Sequence, residues 1–115
     1  MAELIPLTEL PAGFNYPSEY LRVVELGLTD LEPWQIIEGR MLFSIYNTLA
    51  ERFPENHLVP FARYAPNDDV VCWHPETGKI VTVDPWDRHW YSNRDYENFW
   101  AWFRQAIEDL IAFDA

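Results

Sequence analysis

Two apolar runs flanking the turn-forming Pro66-Asn67-Asp68-Asp69 constrain this chain more than any other feature. The first spans Val59–Tyr64 and the second Asp69–Trp73. A third, Lys79–Asp84, follows His74-Pro75-Glu76-Thr77-Gly78. Each run is too short for an ordinary helix and rich in the residues that suit a pleated surface. Asn and Asp bond their own backbone in turns, and Gly78 can take a positive φ at little steric cost. The pattern predicts an antiparallel three-stranded meander. Pro60 has no N–H to give to a ladder near the start of the first strand. Val70-Val71-Cys72-Trp73 is apolar on both alternating sets of positions, the mark of a strand covered on both faces.

Helices bracket the meander. Asn15-Tyr-Pro-Ser-Glu19 reads as a helix start, because proline is tolerated in the first turn and Ser and Glu suit the positive helix end. Tyr20, Val23, Val24 and Leu26 supply its stripe, and Gly27 its stop. Pro33 excludes helix at Glu32, and Trp34, Ile36 and Ile37 favour a short strand. From Glu38 to Arg52, Met41, Leu42, Ile45, Leu49 and then Phe53 recur at helical spacing until Pro54 ends the run. The last helix is predicted from a cap at Ser92 or Asn93, burying Tyr96, Phe99, Trp100, Phe103, Ile107, Leu110 and Ile111. Trp102 and Phe113 fall beside that stripe and either widen the core face or mark a second contact surface. Residues 85–92 read as an ordered loop or short edge strand.

Composition narrows the function classes. The chain has 115 residues, enough for one domain (1–115), with residues 1–13 expected as an arm laid across it. Eight basic and nineteen acidic residues give a net charge of −11, which disfavours nucleic acid and anionic membranes as partners. The same charge suits a basic protein, or simply keeps the chain soluble. One cysteine excludes an internal disulfide framework. With no leader pattern and no apolar run of membrane-spanning length, a cytoplasmic location is the expectation.

Candidate chemistry is sparse. Asp68 and Asp69 are adjacent acids that would point to opposite faces of a sheet, and turn chemistry alone accounts for them. Cys72 and His74 could share a strand face as a nucleophilic pair, but no orienting group or oxyanion site accompanies them. His74, Asp84, Asp87 and His89 lack a recognised ligand spacing. The reading is therefore no catalytic residue, no metal and no cofactor. The aromatic-rich segment Trp86-Asp87-Arg88-His89-Trp90-Tyr91 stands out, since Trp, Tyr and Arg are enriched at binding hot spots and loops carry function. Trp86, Asp87, Arg88, Trp90 and Tyr91, with Asp68, Asp69 and Trp102, are the candidate partner-binding residues.

Leu58-Val-Pro-Phe-Ala-Arg63, Asn67-Asp-Asp-Val-Val-Cys-Trp73, Gly78-Lys-Ile-Val81 and Tyr96-Glu-Asn-Phe-Trp-Ala-Trp-Phe-Arg-Gln-Ala-Ile-Glu108 together resemble the SUKH superfamily, with Pro17-Ser-Glu-Tyr20 matching its early helix. The order and spacing of the motifs, over about residues 15–113, carry the resemblance. Asn67 stands where many members have glycine, and asparagine also accepts left-handed φ. The resemblance implies an α+β fold: a mixed, mostly antiparallel sheet with helices packed on one side. It also implies a non-enzymatic, immunity-type protein that neutralises a toxin, often a nuclease. The expected partner is a basic toxin domain, and the expected state a monomer or weak homodimer. The alternative is a stand-alone regulatory or scaffold protein acting through the aromatic loop.

Overall fold

The computed structural model describes residues 3–87 and 94–114. Among them, six strands form one sheet in chain order: β1 (Asp30–Leu31), β2 (Trp34–Ile36), β3 (Val59–Tyr64), β4 (Asp69–His74), β5 (Lys79–Val83) and β6 (Arg94–Tyr96). Every described pairing is antiparallel. Three helices complete the α+β domain: α1 (Ser18–Glu25), α2 (Gly39–Arg52) and α3 (Phe99–Asp114). No helix among the described residues is long and apolar enough to cross a membrane.

The meander forms as its sequence predicts. β3 pairs β4 from Val59–Trp73 to Tyr64–Asp69, with a bulge between Pro60 and Ala62, and β4 pairs β5 from Val70–Val83 to His74–Lys79. Gly78 has φ 74° and Gly27 φ 75°, as the turn and helix stop require. In the 65–68 turn the left-handed residue is Asp68 (φ 62°), one place after the expected Asn67. Asn67 instead accepts the Asp69 N–H on its side-chain oxygen at 3.0 Å.

Strand alternation divides the core. Val71, Trp73 and Ile80 face one way and join Tyr20, Phe61, Phe99 and Trp102 beneath α1 and α3. Val70, Cys72, Val81 and Val83 face the other way and meet Leu49 of α2 and Phe53 just past its end. Helices therefore cover both faces of the sheet, not one. The doubly apolar β4 demands this, since a bare second face would expose its valines and cysteine. The arm adds to the first core through buried Ile5 and Leu10. It is tied down where Tyr16 Oη donates to the Ile5 carbonyl at 2.8 Å and Tyr46 Oη to the Glu9 carbonyl at 2.7 Å.

α3 starts later than its sequence suggests. Tyr96 lies in β6, opposite Ile80, and Asn98 Oδ1 accepts the Ala101 N–H at 2.9 Å as the cap. Ser92 and Asn93, the expected caps, lie outside the described residues. The fully buried stripe runs Phe99, Trp102, Ala106; Phe103, Ile107 and Leu110 pack half-buried against the same core as expected, while Trp100 and Ile111 are exposed. Apolar side chains occupy more than half the circumference of this helix, so periodicity alone leaves its inward face offset by one position.

Candidate functional site

A groove of about 280 Å³ opens between α2 and the end of the sheet on the α2 face. Met41, Ile45, Val70, Pro85 and Trp86 give it apolar walls, and Ser44 and Thr48 of α2 add hydroxyls. Arg63 and Asp68 close one end. The sequence positions these groups simply. Arg63 sits opposite Gln35 and Val70 in the ladder, and so points to the face that carries Val70. Its Nε donates to Gln35 Oε1 at 3.2 Å and its Nη1 to Asp68 Oδ1 at 2.7 Å. The Asp68 side chain is 69% exposed even so.

Among the described residues Trp86 is the most exposed large apolar side chain, at 69%. Its backbone is nevertheless held. Asp84 Oδ1 accepts the Trp86 N–H at 2.9 Å, and the Asp84 carbonyl accepts the Asp87 N–H at 3.2 Å. Arg52, at the end of α2, donates Nη2 to the carbonyls of both Trp86 and Asp87 at 3.1 Å. An indole ring is thus displayed on a fixed turn beside Met41, itself 46% exposed.

The predicted binding residues separate under this geometry. Trp86 and Asp68 line the same groove, although eighteen positions apart in the chain. Asp87 adjoins it through the Arg52 clamp. Asp69 lines a different hollow, on the α3 face, with Tyr64, Arg94, Asp109 and Phe113. Trp102 is withdrawn from the set. It is 0% exposed and packs against Phe61, Phe99 and Trp34 at ring separations of 5.0, 5.7 and 5.8 Å, so no partner can reach it. Arg88, Trp90 and Tyr91 lie outside the described residues, as does His89.

The α3-face hollow is larger, about 540 Å³, but several of its polar groups are already joined to one another. Trp34 Nε1 and Gln105 Nε2 donate to the two oxygens of Asp109 at 2.7 and 2.8 Å, and Asn67 Nδ2 reaches Asp69 Oδ2 at 3.3 Å. In the groove, by contrast, the Arg63 contact takes up only one Asp68 oxygen. Sequence reasoning missed Met41 and Arg52 as surface residues. Met41 falls in the helical apolar pattern that predicts core, and the Arg52 clamp is a contact across 34 residues that no local pattern encodes.

The thiol considered as a nucleophile is buried within the α2-face core, and burial pushes its pKa well above the ordinary value, which disfavours the thiolate. His74 Nδ1 meets Thr77 Oγ1 at 2.9 Å within its own hairpin. Among the described residues no three of His, Cys, Asp and Glu gather as a ligand set. Comparison with family models, with curated proteins and with solved structures finds no match.

Proposed function

We propose that this chain is a non-enzymatic protein-binding domain of the SUKH immunity type, whose partner is a basic protein such as a toxin domain. The observation that supports this reading is Trp86. A tryptophan left 69% exposed on a backbone held by Arg52 and Asp84 is what a binding anchor requires. Because the turn is already ordered, little conformational freedom remains to be lost on association. The net charge of −11 suits a positively charged partner, speeding encounter and opposing anionic competitors.

The test uses the full chain, tagged, against the purified products of the genes beside its own. The expected result is a complex whose association rate falls at least tenfold between low and high salt. Failure to capture any of those products, or any basic host protein, would overturn the reading. A salt-insensitive complex lost on Trp86→Ala would instead support the stand-alone scaffold alternative.

A further inference from the structure

The groove beside Trp86 has a shape and a charge pattern that narrow its occupant. Its volume, about 280 Å³, lies just below the ~300–1,000 Å³ range of small-molecule sites. That space suits one or two inserted side chains better than a cofactor. Its walls are apolar at Met41, Ile45 and Trp86, while the rim at one end carries the exposed carboxylate of Asp68. Arg63 satisfies Oδ1 of that carboxylate at 2.7 Å, and Oδ2 has no hydrogen-bond partner among the described residues. The free oxygen can accept a charge-assisted bond from a cationic side chain arriving with the anchor.

We infer that the groove binds a linear segment of a basic protein in which one large apolar side chain is flanked by arginine or lysine. The apolar side chain enters between Trp86 and Met41, and the neighbouring cation bonds Asp68 Oδ2. This inference rests on the protein-binding reading above and gives it a recognition motif. Charge complementarity favours this occupant over a second copy of the chain, which itself carries a net charge of −11 and would be repelled. Asp68 also suits the task by position. It sits at the left-handed residue of the β3–β4 turn, where Asn would keep the backbone and remove only the charge.

A displayed library of random dodecapeptides panned on the intact chain tests the inference. Enriched peptides are expected to share an apolar residue next to Arg or Lys. Binding of the synthetic consensus peptide should fall at least tenfold with Trp86→Ala and about three- to tenfold with Asp68→Asn. Asp68→Asn should also flatten its salt dependence, whereas Trp100→Ala, an exposed tryptophan on α3, should change nothing. Circular dichroism of each variant checks that the fold is kept. No enrichment, a consensus without a basic residue, or binding indifferent to Trp86→Ala would each overturn the inference. If a basic partner protein is captured but ignores Trp86→Ala and Asp68→Asn, the protein-binding reading stands and the groove motif falls.

Discussion

Removing the indole of Trp102 in two steps separates packing from polarity in the core. Trp102 is fully buried, and its Nε1–H finds no hydrogen-bond partner among the described residues. Trp102→Ala removes a whole ring from contact with Phe61, Phe99 and Trp34, a change that costs about 3–5 kcal/mol. That is a large share of the ~5–15 kcal/mol that holds a domain of this size together. Trp102→Phe is different. The smaller ring gives up on the order of 50 Å² of burial, about 1 kcal/mol at the usual area coefficient. The space left behind, about 40 Å³, costs about 1 kcal/mol more. Against both stands the removal of a buried, unbonded donor, which returns about 1–3 kcal/mol. The net change should lie within about 1 kcal/mol of zero. Urea unfolding followed by far-ultraviolet circular dichroism measures it, with a Tm shift of under about 5 °C as the thermal counterpart. A loss of more than about 3 kcal/mol for Trp102→Phe would refute the reasoning, because it would mean the N–H is bonded in the folded protein.

Further expectations follow from the same geometry. Trp86→Ala should move Tm by no more than about 2 °C, since the ring is mostly exposed; a larger loss on thermal scanning would mark it as a packing residue. Arg52→Ala should leave the fold intact while weakening the consensus peptide about three- to tenfold, because the Trp86 turn must then be ordered on binding; titration calorimetry would read this as a larger entropic loss. Cys72 should resist alkylation by iodoacetamide in the native protein at pH 8 and react once the chain is denatured, and rapid native labelling on a mass-spectrometric time course would contradict its burial. Burial raises Tyr16 to about 12 and raises Tyr20 as well, above the ordinary 10.0, despite the Tyr16 bond to the Ile5 carbonyl. The unfolded chain then loses these protons first. Stability should hold below pH 10 and decline from there through about pH 12, and flat stability over that window in pH-resolved unfolding curves would argue against it.

The meander was legible because three independent signals agree there. Run length, alternation and turn chemistry place β3, β4 and β5 with their ends within one residue of those found. The doubly apolar Val70–Trp73 run already called for cover on both faces, a demand the one-sided family architecture did not meet and α2 does. Tyr96 misled because an apolar residue three positions before Phe99 extends a helical stripe, while its place opposite Ile80 depends on a strand pairing sixteen residues back. Two-residue β1 is too short to leave a pattern at all. At the site, Trp86 and Asp68 could each be picked out by residue type. Their meeting in one groove depends on how α2 crosses the sheet, which no local spacing records.

A sheet packed on both faces ties the parity of its strands to the core. Deleting one residue from the 65–68 turn would send Val70 and Cys72 toward α1 and α3 and turn Trp73 out beneath α2. That turn is therefore fixed in length as well as in conformation. Trp86 lies beyond Val70–Val83, the last pairing of β4 with β5, so exchanging it or lengthening its turn leaves that register untouched. One part of the chain is locked by counting and the other is free to drift, so the Trp86 turn can change in sequence and length without rebuilding what holds the sheet folded.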